Sequence, residues 1–176
     1  MKTEKVALLA MVVALYVGIS LLLAPFSFAN IQVRIAESLT LLPVLMPESI
    51  IALALACLLT NLIGVMSGVN ILGFLDVLVG TAATLLAAYL THRLRNYRFK
   101  GYPVLATLPP IFINALFIGL ELQWVLNPGS GFNRNLFIVL FFEIAVGQFI
   151  AVFIIGLPLI KKLSTLKIFN EENTEE

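Results

Sequence analysis

Residues Asn30–Leu45 read N-I-Q-V-R-I-A-E-S-L-T-L-L-P-V-L. The stretch sets Arg34 and Glu37 three residues apart between apolar runs, in a chain that is only 12% charged and 60% hydrophobic. Soluble domains carry about 25% charged residues, so this composition is that of an integral membrane protein. Charge near hydrocarbon depth costs several kcal/mol and is retained where it is paired or functional. Whether this stretch spans the bilayer decides the topology of the whole chain.

Working outward, five long apolar segments flank it: Val6–Ala24, Pro47–Met66, Ile71–Thr91, Pro103–Trp124 and Leu136–Ile160. Each is close to or above the ~20 residues a helix needs to cross ~30 Å of hydrocarbon. Glu37–Met46 is too short for hydropathy to decide, and charge decides it instead. Lys2 and Lys5 precede the first segment, Lys161, Lys162 and Lys167 follow the last, and Arg93, Arg95, Arg98 and Lys100 lie before Pro103. These are nine of the 11 Lys and Arg residues, and the positive-inside rule places all three clusters in the cytoplasm. Five crossings would expose the arginine loop outside. Six crossings, with Glu37–Met46 as a short second span, keep all three clusters inside and leave only Arg34 and Arg134 outside. At an α-helical rise, ten residues reach only ~15 Å, so this helix is expected among other helices rather than in lipid. Pro43 and Pro47 bracket its cytoplasmic end.

The expected fold is therefore an all-α membrane protein: a six-transmembrane-helix bundle with a short second helix and both termini cytoplasmic. Residues 1–168 form a single domain, and 169–176 form an acidic cytoplasmic tail. A cleavable signal peptide is the rival reading of the first segment, with Ser27-Phe28-Ala29 loosely resembling a cleavage site. Val6–Ala24 exceeds the ~7–15-residue apolar core of such peptides, and cleavage would break the charge parity.

Given this topology, polar residues on five helices gather at one depth, toward the outer side. Arg34 and Glu37 enter from the outer end of the second helix, Thr60 and Asn61 from the third, and Asp76 from the fourth. Asn114, Glu121, Gln123 and Trp124 come from the fifth, and Glu143 and Gln148 from the sixth. Facing lipid would leave them unsatisfied, so they are expected to converge on a cavity for a small molecule. The candidate ligand-binding residues are Arg34, Glu37, Asn61, Asp76, Asn114, Glu121, Trp124 and Glu143. Trp124 could stack on a flat ring, although a lone tryptophan at a helix end also fits an interfacial aromatic belt. Arg34 and Glu37 could also serve only to neutralise one another, the less favoured reading.

Ala10 and Ala14, spaced i, i+4 on the first helix, offer a smooth face for another helix, inside the bundle or outside it. Lone Cys57 and lone His92 give no basis for a disulfide, a metal site or a resident cofactor. No G-x-x-x-x-G-K-[ST], H-E-x-x-H or G-x-S-x-G motif occurs, so no catalytic residues are assigned and binding is favoured over catalysis.

The stretch Ile31–Pro43 resembles the signature I-Q-x-R-x-x-E-x-L-x-x-L-P of the QueT-like S-components of energy-coupling-factor (ECF) transporters. Cys57–Leu62, Leu75–Leu85, Leu108-Pro109-Pro110 and Asn114-Ala115-Leu116 follow in order, and Glu143–Gln148 fits more loosely. The resemblance implies a substrate-binding membrane subunit of an ECF-type importer in the bacterial cytoplasmic membrane. Its partners would be a transmembrane scaffold subunit and two ATPase subunits, with Ala10 and Ala14 at the docking face. It implies as cargo a queuosine precursor, a 7-deazaguanine such as 7-aminomethyl-7-deazaguanine. One carboxylate can accept two adjacent N–H donors of a guanine-like edge, and a second suits an aminomethyl cation. Which acid meets which edge is left open. The alternatives are an S-component for another vitamin and a stand-alone carrier driven by an ion gradient, with Glu143 and Asp76 as its ion sites.

Overall fold

The computed structural model describes residues 3–24, 34–166 and 169. Asn30–Val33, Ser27–Ala29, Lys2, Lys167 and the acidic stretch 170–176 lie outside the described residues.

The described chain is helical, with no strands. We label its helices α1 (Thr3–Leu22), α2 (Ile35–Val44), α3 (Ser49–Met66), α4 (Phe74–Arg93), α5 (Leu108–Leu126, entered through a 3₁₀ turn at Val104–Thr107) and α6 (Arg134–Leu163). Among the described residues, five helices are long and apolar enough to cross a membrane, and α2 is the short one. With the 3₁₀ turn counted into α5, the long helices begin and end within three residues of the apolar segments read from sequence. Local chemistry sets the ends: Pro109 and Pro110 occupy the first turn of α5, where no N–H is required. The Asn133 side chain caps α6 by accepting from the Asn135 and Leu136 amides.

α2 departs from the expected helix in its geometry. It is a ten-residue 3₁₀ helix, and at ~2.0 Å per residue it reaches ~20 Å rather than ~15 Å. Thr40 Oγ1 donates to the Glu37 carbonyl three residues back at 2.6 Å, which suits the tighter winding. Every residue from Ala36 to Val44 is buried. The long helices form an arc, α1 on α3, α3 on α4, α4 on α5 and α5 on α6, and α2 runs inside it against α1, α3, α4 and α6.

α6 is irregular where it meets α2. Its middle, Phe149–Gly156, is wound as a π-helix before Leu157–Leu163 returns to α geometry. A Cβ at Gly156 would stand 3.1 Å from both Leu41 Cδ1 and the Ser38 carbonyl oxygen. A side chain there would have to push these neighbours back, so glycine suits this close approach of the two backbones.

One end of the bundle is fastened by polar contacts. Lys5 pairs with Glu48, and His92 Nδ1 donates to the Pro43 carbonyl at 2.8 Å. Arg95 then donates to His92 Nε2 at 2.8 Å, and Lys161 donates to the Tyr102 hydroxyl at 3.0 Å. The starts of α1, α3 and α5 and the ends of α2, α4 and α6 therefore share this end, so successive helices alternate in direction.

α1 is the most peripheral helix. Only Val12, Tyr16 and Ser20 are buried, one residue per turn along a narrow stripe. Ala7, Ala10 and Ala14 lie on its exposed side.

Candidate functional site

At the opposite end, α2 starts beside the start of α4. Arg34, 7% exposed and immediately before α2, donates through Nη2 to Asp76 Oδ2 at 3.2 Å. Asn70, in the α3–α4 connection, donates to the same oxygen at 2.9 Å, and its own Oδ1 accepts the Leu72 amide at 3.0 Å. Asn61 Nδ2 reaches across from α3 to the Asp76 carbonyl at 2.8 Å. Asp76 is thus fixed from three directions, and its Oδ1 keeps no hydrogen-bond partner. A Cβ at Gly80 would fall on that oxygen and within 2.8 Å of Asn61 Nδ2. The bare backbone of Gly80 makes the space that Asp76 and Asn61 use.

One turn into α2, Glu37 is fully buried and its Oε1 accepts the Tyr16 hydroxyl from α1 at 2.7 Å. Its Oε2 has no partner. Arg34 and Asp76 both lie within electrostatic range of Glu37, and Asn114 of α5 flanks its carboxyl with Nδ2 unpartnered. Glu121, two turns further along α5, lies within electrostatic range of Arg34 and Asp76. It is 4% exposed, and neither of its oxygens has a partner.

Six of the expected residues, Arg34, Glu37, Asn61, Asp76, Asn114 and Glu121, are therefore buried in one group drawn from α2, α3, α4 and α5. Trp124 does not join them. At 69% exposed it stands on the outer surface of α5, because three residues past Glu121 the helix has turned ~60° away from the interior. The aromatic-belt reading fits that position. Glu143 is half-buried on the flank of α6, while Ile144 and Gln148 fill the interior of that helix.

Tyr16 and Asn70 were not anticipated as members of the group. The spacing of Val12, Tyr16 and Ser20 at four-residue steps is a signal that could have found Tyr16, since it sets the phenol on the inward stripe of α1. Asn70 offered only a turn residue, and its second amide bond depends on where α4 folds back.

Buried polar atoms are ordinarily hydrogen-bonded. Here unpartnered atoms of Glu37, Asp76, Asn114 and Glu121 concentrate within a single group. Such a group can exchange hydrogen bonds with a molecule that enters it.

The pattern of a family described as QueT transporter matches residues 6–165, nearly the whole chain. The chain belongs to the QueT transporter family. This is a transport family rather than an enzyme family, and its apolar helices make the QueT chain a multi-pass membrane protein whose ligand is a small molecule. No curated protein and no solved structure matches it.

Proposed function

We propose that this QueT-family protein is the substrate-binding subunit of an ECF-type importer in the bacterial cytoplasmic membrane. It captures a queuosine precursor, a 7-deazaguanine such as 7-aminomethyl-7-deazaguanine, at the buried group formed by Arg34, Glu37, Asn61, Asp76, Asn114 and Glu121. A scaffold subunit and two ATPase subunits complete the importer, and the chain crosses the membrane six times with both termini inside. The observation that carries the reading is the concentration of unpartnered carboxyl oxygens at one end of an apolar bundle, within a transport family. A 7-deazaguanine is flat, and its pyrimidine edge presents adjacent N–H donors to such oxygens. The gathering of Lys5, Arg95 and Lys161 at the other end supports the orientation, since that end then faces the cytoplasm.

The test is calorimetric titration of the purified protein in nanodiscs with 7-aminomethyl-7-deazaguanine, 7-deazaguanine and a panel of vitamins. Saturable binding of the deazaguanines at micromolar concentration or below is expected. Binding of a vitamin instead would reassign the cargo. Uptake that persists without ATPase subunits but collapses with an uncoupler would replace the importer with a gradient-driven carrier.

A further inference from the structure

We propose that Glu121 is the seat of a cationic amine on the ligand, so that the site selects its cargo by charge. This rests on the reading of the same site given above and adds to it a division of labour among three carboxyls. Asp76 is already engaged, its Oδ2 holding Arg34 at 3.2 Å and Asn70 at 2.9 Å. Glu37 is engaged through Oε1 by Tyr16 at 2.7 Å. Each of these acids keeps a single oxygen unpartnered, Asp76 Oδ1 and Glu37 Oε2. Glu121 keeps both, although it is 4% exposed.

Charge points the same way. The group holds the cation of Arg34 and the carboxyls of Glu37, Asp76 and Glu121. Arg34 lies against Asp76, and Tyr16 supplies Glu37 with a neutral donor. Among the described residues no hydrogen-bond donor reaches Glu121, so of the three carboxyls it is the least compensated. A buried carboxylate left this way is strongly unfavourable, and an opposite charge within ~4–6 Å relieves it. An ammonium presents three N–H donors and no acceptor, which suits a carboxylate with two open oxygens. The single open oxygens of Glu37 and Asp76 suit the separate neutral N–H groups of a ring, and Asn114 Nδ2 remains as a donor to a ring acceptor.

The experiment compares two ligands of nearly the same shape, 7-aminomethyl-7-deazaguanine and neutral 7-hydroxymethyl-7-deazaguanine. Each is titrated into wild type, E121Q and Glu121→Leu in nanodiscs. Wild type is expected to prefer the amine by about 30-fold, the scale of one charge-assisted hydrogen bond. The preference is expected to fall within about threefold in both variants. The leucine variant suits the apolar depth of the site and serves should E121Q fail to fold. Equal binding of the two ligands by wild type, or a preference that survives in a folded variant, would overturn the assignment to Glu121 while leaving the 7-deazaguanine reading in place. Failure of both ligands to bind wild type would overturn both.

Discussion

Arg34 and Asp76 form an ion pair at 3.2 Å across 42 residues of chain. Arg34 stands at the mouth of α2 and Asp76 in the first turn of α4, so the pair ties the short inner helix to the surrounding arc. It also sets the depth of Glu37, one turn along from Arg34. The pair is desolvated, with side-chain exposures of 8% and 0%. Its worth therefore lies mainly in what is lost when one partner is removed.

Asp76→Ala is expected to lower stability by about 3–5 kcal/mol, because the Arg34 guanidinium would remain buried without its carboxylate. Thermal unfolding in detergent measures this. The double variant with Arg34→Met should recover much of the stability without restoring ligand binding.

Gly80→Ala is expected to weaken ligand affinity at least about tenfold, since a methyl group there displaces Asp76 Oδ1 and crowds Asn61 Nδ2. Alanine favours the helix by about 1 kcal/mol over glycine, which offsets part of the packing cost. Isothermal titration read beside a melting curve separates the two effects, and affinity should move more than stability.

Tyr16→Phe removes the donor to Glu37 Oε1 and leaves a fully buried carboxylate oxygen unsatisfied. A loss of about 1–3 kcal/mol is expected. The Tyr16→Phe/Glu37→Gln double variant should lose less than the sum of the single changes, and a double-mutant cycle of unfolding free energies reads the coupling.

Glu48 lies outside the membrane-spanning helices, at the head of α3. Burial alone would raise its carboxyl, but the hydrogen bond and charge of Lys5, a backbone hydrogen bond and the nearby His92 outweigh this and hold it below the ordinary 4.5. A group lowered by folding contributes stability above its unfolded value and loses it as pH falls through the folded one. The contribution should therefore be complete at neutral pH and disappear below pH 4.5. Both partners are partly exposed, so it should stay under about 1 kcal/mol and shrink with salt. The stability difference between wild type and Glu48→Gln, followed against pH at two salt concentrations, checks the sign.

Ala10→Leu with Ala14→Leu enlarges the exposed face of α1, away from the buried Tyr16. On the proposed function, scaffold docking should fail while deazaguanine affinity changes less than about twofold. Pull-down with the scaffold and ligand titration, made on the same preparation, would show both; docking by the double variant would remove this face from the interface.

The long helices were legible because length and hydropathy set them almost alone. A helix at α2 was expected because the positive-inside rule, applied to nine lysines and arginines, asks for an even number of crossings, and a short apolar helix does stand there. Its 3₁₀ winding was not, since packing on every side imposes it. The π-wound middle of α6 was equally hidden: F-I-A-V-F-I-I-G reads as ordinary apolar helix, and the winding appears only in the folded chain, where the segment packs on α2. In the site, Arg34, Glu37, Asn61, Asp76, Asn114 and Glu121 stood out as polar residues in apolar surroundings. Trp124 stands apart because an offset of ~60° from Glu121 is enough to carry a side chain from the interior to the surface of α5. Tyr16 escaped notice because a phenol in an apolar helix looks like packing until its hydroxyl finds a carboxylate.

The missing side chain at Gly156 makes α6 a lever on the site. Its backbone rests against the carbonyl of Ser38, the residue next to Glu37, with no flexible side chain between to absorb a displacement. On the proposed function, a sideways shift of the distal half of α6 would be passed to α2, and so to the Glu37 carboxyl that meets the cargo.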